Sequence, residues 1–125
     1  MMRLLLDAHV FVWWIRADSR IDPSWVAPIV DPANSVFVSA AVAWEIETKK
    51  RADRLAFHHD TPRIASEFGF ELLSITPRHA VVAGSLAWEH RDPFDRMLVA
   101  QAIEQDLTLV TADTAMRSAP GIKVL

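Results

Sequence analysis

The 125-residue chain contains no cysteine. Disulfides, thiolate metal sites and a cysteine nucleophile are therefore excluded, and the composition fits a reducing compartment. Runs of five or more charges of one sign are also missing, and the formal net charge is only −3. Nothing in the bulk charge announces a nucleic-acid partner, so any basic surface has to be local. No apolar run approaches the roughly 20 residues needed to cross a bilayer. The N-terminal stretch MMRLLLDAHVFVWWIR is broken by Asp7 and His9 and lacks a small-residue cleavage site, which speaks against a signal segment. These absences predict a soluble, cytoplasmic protein with no membrane partner.

What is present is ordinary globular composition, 51% hydrophobic and 23% charged, and the length suits one domain over residues 1–125. Short continuous apolar runs mark five candidate strands: RLLL (3–6), VFVS (36–39), ELLSI (71–75), LTLVT (107–111) and IKVL (122–125). Such runs are expected of strands buried on both faces. Helical stretches lie between them, at roughly 8–16, 23–31, 40–52, 61–68, 77–88 and 93–105. Pro23, Pro62, Pro77 and Pro93 each follow Asp or Thr, a helix-start signal, and Gly69 and Gly121 mark stops or turns. The alternation predicts an α/β fold with a mostly parallel sheet and helices on both faces. Trp13, Trp14, Trp25, Trp44 and Trp88 read as packing residues. Trp13 and Trp14 point about 100° apart on a helix, which leaves room for one of them to face solvent and suit a protein partner.

The acidic residues carry the chemical signal. In HRDPFDRMLVAQA, Asp92 directly precedes Pro93 and reads as the helix N-cap. Asp95 shares a face with Leu98, Val99 and Ala102, while Gln101 and Glu104 lie away from it. A carboxylate on the apolar face of a first turn is either a capping-box partner or a functional group. Glu45 repeats the anomaly on the face of Ala41, Val42, Lys49 and Ala52, with an ion pair to Lys49 as its plain explanation. Asp7 ends one buried strand and Asp113 follows another, where parallel α/β sheets place ligands, although each also suits an N-cap. Ser39 and Thr111 are positioned to hydrogen-bond carboxylates or local backbone.

If Asp7, Glu45, Asp95 and Asp113 converge, their repulsion requires a counter-charge. A hard divalent cation, Mg²⁺ or Mn²⁺, meets that need through oxygen ligands. The missing cysteine and the scattered histidines argue against structural zinc. Metal-assisted phosphodiester hydrolysis is the chemistry that most often uses such a cluster. No histidine stands out as a general base: His9 lies near Asp7, His58 and His59 look like a loop pair, and His90 belongs to the loop before the Asp92 cap.

The pieces LLLDAHVFVWW, VSAAVAWEIETKK, HRDPFDRMLVAQA and LVTADTAM, in this order, resemble the PIN-domain family and within it the VapC-type ribonuclease toxins. The resemblance implies a three-layer α/β/α sandwich around a five-stranded parallel sheet. It implies an endoribonuclease with Asp7, Glu45, Asp95 and Asp113 as catalytic acids. Asp7, Asp95 and Asp113 would hold Mg²⁺ or Mn²⁺, and Glu45 would bind metal or orient water. Ser39 and Thr111 match supporting hydroxyl positions, and Lys49 sits beside Glu45. Arg3, Lys49, Lys50, Arg51, Arg54, Arg91 and Arg96 are candidate phosphate contacts. An RNA substrate, a small VapB-like antitoxin and a homodimer are the implied partners. Two positions depart from the pattern: Ala8 replaces a hydroxyl residue after the first acid, and Asp53 replaces a glycine in KKRADRL. Rival readings are a haloacid-dehalogenase-type phosphatase, against which His9 stands where a second Asp is required, and a metal- or partner-binding α/β domain without turnover.

Overall fold

The computed structural model describes residues 1–125. Its strands are β1 (Arg3–Leu6), β2 (Ser35–Ser39), β3 (Glu71–Leu73), β4 (Thr108–Val110) and β5 (Lys123–Val124). They form one sheet in the order β3-β2-β1-β4-β5, with every pairing parallel. The helices are α1 (Ala8–Ile15), α2 (Pro23–Val30), α3 (Ala40–Arg51), α4 (Thr61–Glu67), α5 (Pro77–Ser85), α6 (Pro93–Glu104) and α7 (Thr114–Arg117). From β1 the chain steps through β2 to β3 in one direction, then returns past β1 to β4 and β5. Right-handed crossovers put the first two connections on one face of the sheet and the last two on the other, giving three layers. The strand order therefore reverses between β1 and β4, and the crevice beyond their carboxyl ends is where such sheets bind ligands.

Past their first residues the central strands β1 and β4 are apolar because both faces are covered: Leu4, Leu5, Leu6, Leu109 and Val110 are fully buried. No helix is long and apolar enough to cross a membrane. The predicted strands are all present, β3, β4 and β5 being shorter than their apolar runs. The helix expected over 77–88 stops at Ser85, because Leu86 turns to an extended conformation. The exposed tryptophan is neither Trp13 nor Trp14, both of which are half-buried, but Trp44, which is 59% exposed. Trp44 meets Phe94 edge-on at 4.7 Å, joining the early turns of α3 and α6.

Several helices end on a left-handed residue just past the cap, the position that favours glycine. After α4 it is Gly69, with φ of 80°. After α1, α3 and α6 it is Ala17, Asp53 and Asp106, with φ of 51°, 55° and 53°. The glycine-to-aspartate departure noted at Asp53 thus falls on a position whose backbone does call for glycine.

Candidate active site

Asp7 follows the last residue of β1 at the β1–β4 seam. Its backbone N–H continues the ladder to the Val110 carbonyl at 3.1 Å, which locks the residue to the strand end. One carboxylate oxygen, Oδ1, caps α1 by accepting from the Val10 N–H at 2.8 Å. The other, Oδ2, accepts from the Thr111 hydroxyl just beyond β4. The cap reading and the site reading of Asp7 are compatible, since each uses a different oxygen. Only 3% of the residue is exposed. Burial pushes its carboxyl above the ordinary aspartate range and the charge of Glu45 adds to this, while the bonds from Thr111 and Val10 and the charge of His9 oppose it.

Glu45 lies in α3 on the buried side of the helix, with Ala41, Val42 and Ile46. Its Oε2 pairs with Lys49 Nζ at 2.8 Å, one turn along. Asp95 enters from α6. Asp92 caps that helix by accepting from the Phe94 and Asp95 N–H groups at 2.9 and 3.1 Å, and Pro93 occupies the first helical position. This fixes the rotation of the first turn, so that Asp95 shares its face with the buried Leu98, Val99 and Ala102. Burial lifts the Asp95 carboxyl to about 6, assisted by the charges of Asp92 and Glu45 and opposed by His90. Glu45 therefore acts electrostatically on both Asp7 and Asp95, and the three acids share one neighbourhood.

Asp113 stands apart from that trio. It is exposed, and its Oδ1 caps α7 through the Ala115 and Met116 N–H groups at 2.8 and 3.3 Å. Its link to the site runs through Thr111, whose hydroxyl oxygen accepts the Asp113 N–H at 3.0 Å while donating to Asp7. As the side chains stand, no group of three or more His, Asp or Glu is drawn tightly enough together to hold a metal ion. Each carboxylate is instead engaged by its own partner: Thr111 on Asp7, Lys49 on Glu45, His90 on Asp95, and the α7 backbone on Asp113.

The comparisons with known proteins agree with this architecture. The family model for the PIN domain matches residues 4–122. The chain belongs to the PIN-domain family. Ribonuclease VapC22 of Mycobacterium tuberculosis (strain ATCC 25618 / H37Rv) is 28% identical over 121 residues, which are 94% of this chain and 92% of that protein. In fold, this PIN domain is similar to VapBC2 from Rickettsia felis bound to a promoter DNA fragment, with a TM-score of 0.71 at 17% identity over 99% of this chain and 98% of that one. It is also similar to DNA-bound VapBC from Salmonella typhimurium, with a TM-score of 0.70 at 17% identity over 100% and 98% of the two chains.

The donor chemistry of this PIN domain fits a hard divalent cation. The candidate ligands are all carboxylate oxygens, Asp7 is almost fully desolvated, and Asp7 and Asp95 both have raised affinity for protons. A cation among them would offset the carboxylate charge that burial makes costly, and with it the smaller repulsion from Glu45. Lys49 already supplies one positive charge to Glu45.

Several candidate residues take other roles. Arg96 is no phosphate contact: its guanidinium donates to the carbonyls of Ala83, Leu86, Trp88 and His90 and ties down the loop before α6. Arg3 stands at the opposite end of β1, bonded to the Gln105 carbonyl and lying over Phe37. Lys50 pairs with Glu47, whereas Arg51, Arg54 and Arg91 are exposed. Ser39 touches no acid; it caps α3 and donates to Gln101 Oε1 at 2.6 Å. Gln101, read from the sequence as lying away from the buried face, is fully buried. The reason is α5, which packs along α6 and brings His79 to a second covered face. His90, which the sequence places in the loop before the Asp92 cap, gains a partner in the fold. Its Nε2 meets Asp95 Oδ2 at 2.7 Å, and its ring stacks on Trp88 at 4.5 Å. Nothing in the spacing of His90 and Asp95 signals that contact, which depends on the loop held by Arg96.

Proposed function

We propose that this PIN domain is a metal-dependent endoribonuclease and the toxin of a toxin–antitoxin pair, with a small VapB-like antitoxin as partner. The observation that carries this reading is the placing of Asp7 at the strand-order reversal, with Glu45 near enough for its charge to act on both Asp7 and Asp95, in a chain related to a named ribonuclease. Asp7, Asp95 and Asp113 are the proposed ligands of Mg²⁺ or Mn²⁺. When bound, the ion supplies a Lewis acid for the scissile phosphate and lowers the pKa of a bound water.

The chain's own residues do the rest. Asp7 is held rigidly by Val10 and Thr111, so its carboxylate presents a fixed anchor. Glu45 orients the attacking water and accepts its proton, and Lys49 is then released from its ion pair to face the phosphate. Asp95 would exchange its bond to His90 for the ion, which would leave the imidazole beside the site. Asp113, which now caps α7, would have to turn from that cap to join as the fourth acid. The products are a 3′-hydroxyl and a 5′-phosphate. We also assign a homodimer as the working form, and the cytoplasm as the compartment.

The test is cleavage of RNA by purified protein with Mg²⁺ or Mn²⁺, with and without EDTA, comparing wild type with Asp7→Asn and Asp95→Asn. Cleavage that needs metal and both acids supports the reading. Metal-independent cleavage, or variants as active as wild type, overturns it.

A further inference from the structure

A cleft of about 300 Å³ opens between α1 and the end of α3, next to the acid site. It shares a wall with that site: Ala8 and His9 directly follow Asp7, and Lys49 is the residue paired with Glu45. His9, Trp13, Arg16, Arg20, Lys49 and Arg54 line it, and no acidic side chain does. Four of the chain's 13 basic residues thus collect in one small cleft of a protein whose net charge is −3. This is a local basic surface of the kind that bulk charge conceals.

The four cations are not equivalent. Arg20 is neutralised by Asp18 at 2.7 Å and Lys49 by Glu45 at 2.8 Å. Arg16 and Arg54 have no carboxylate within ion-pair distance. Arg16 spends one donor on the Ala56 carbonyl and keeps its charge. Arg54 is placed by the left-handed turn at Asp53, its N–H closing back on the Lys49 carbonyl at 2.8 Å. Beside these charges, Trp13 and His9 present tilted rings 6.0 Å apart. Arg20 already covers one face of the indole at 5.1 Å, so a base would meet the rest of the ring or displace that guanidinium, which stays beside it as a further cation.

Unpaired guanidinium groups beside aromatic rings are the chemistry that binds single-stranded nucleic acid, through phosphate and base stacking together. The volume is at the small end for ligand sites, which suits one nucleotide and excludes a helix. We infer that this cleft holds one unpaired nucleotide of the RNA strand next to the cut, with its phosphate on Arg16 and Arg54 and its base against Trp13 and His9. The inference rests on the ribonuclease reading for the identity of the strand, and it predicts selection for unpaired RNA at that position.

The test is fluorescence anisotropy with a short labelled single-stranded RNA and its blunt duplex, over a range of salt, in an Asp95→Asn background that prevents cleavage. Arg54→Ala and Trp13→Leu are each expected to weaken single-strand binding about tenfold. Arg54→Ala should also lower the salt dependence by about one phosphate contact. Arg63→Ala, an exposed arginine on α4, should change nothing, and the duplex should bind more weakly than the single strand. Arg54 is exposed, so its variant reports binding even if Trp13→Leu folds poorly. Binding by Arg54→Ala equal to the parent overturns the inference, including the case in which an acidic protein segment is the true occupant. Cleavage of the same RNA by wild type with Mg²⁺ is read in parallel. Cleavage with Arg54-independent binding removes the cleft alone, whereas Arg54-dependent binding without cleavage supports the cleft and removes the nuclease.

Discussion

The hydroxyl of Thr111, beyond the end of β4, donates to the carboxylate of Asp7, beyond the end of β1. The bond crosses the strand-order reversal and is the only side-chain hydrogen bond that Asp7, itself almost wholly buried, receives. It lowers the proton affinity of Asp7 against the larger, opposite effect of burial. Thr111→Val keeps the shape but deletes both the donor to Asp7 and the acceptor of the Asp113 N–H, and the loss of the donor should raise the Asp7 carboxyl further. A carboxyl raised in the folded state stabilises the fold at low pH and loses that contribution as pH rises through its folded value. The variant should therefore lose about 1–3 kcal/mol at pH 8 and less at pH 4. Urea unfolding at both pH values checks this, and Thr111→Ser should restore the wild-type difference.

Asp92 and Asp95 divide their labour over one helical turn. Asp92 points its Oδ1 at the first-turn N–H groups, a task asparagine performs almost as well. Asp92→Asn should keep most of the RNA cleavage measured for wild type, while Asp95→Asn should abolish it with the fold intact by circular dichroism. Asp92→Ala should cost about 1 kcal/mol and lower activity by loosening the turn that aims Asp95.

Periodicity and caps made most of this legible in the sequence. The strand-end placement of Asp7 and Asp113 followed from the apolar runs before them, and the inward face of Glu45 and Asp95 from helical spacing. Pro93 after Asp92 fixed the phase of α6 at its start. What the spacing could not reveal was contact between elements. Gln101 was placed on the open side because a single helix has one apolar face, and the packing of α5 supplies the second cover. Arg96 looked like a free surface cation because its four acceptors are backbone carbonyls, which any sequence carries. For Asp113 the sequence leaves cap and ligand both open, since the two begin from the same position, and the side chain turns toward its own helix.

Arg96 carries a prediction of its own. A planar guanidinium serves four carbonyls between residues 83 and 90, and an ammonium cannot match that geometry. Arg96→Lys should cost about 2 kcal/mol by denaturant unfolding, the loss of more than one hydrogen bond to a charged group. Because the same loop delivers His90 to Asp95, limited proteolysis of the variant should show new cleavage between Leu86 and Arg91.

Ala17 occupies a left-handed position with φ of 51°, without the short polar side chain that makes such a backbone tolerable for Asp53 or Asp106. Its N–H and that of Asp18 close the end of α1 on the Trp14 and Trp13 carbonyls, so the turn cannot relax without breaking them. Ala17→Gly should therefore stabilise the protein by about 1 kcal/mol. Thermal melting should rise by a few degrees, and RNA cleavage should stay at the wild-type rate.

Asp95 sets stability against function. Its carboxyl is raised to about 6, chiefly by burial, so between about pH 4 and 6 the folded protein binds a proton that the unfolded chain releases. Stability from this group is complete below pH 4 and gone above 6. At neutral pH the ionised carboxylate costs the fold something on the order of 1 kcal/mol once solvent screening of a partly open group is allowed for. Asp95→Asn removes the charge and keeps the shape, so its melting temperature should exceed that of wild type at pH 7.5 and match it at pH 4. Mg²⁺ should reverse the ranking at pH 7.5 by stabilising wild type alone, since only the ionised carboxylate competes for the cation. Calorimetry at the two pH values, with and without Mg²⁺, decides it. A variant no more stable than wild type at pH 7.5 without metal would show that Asp95 is not strained by its burial.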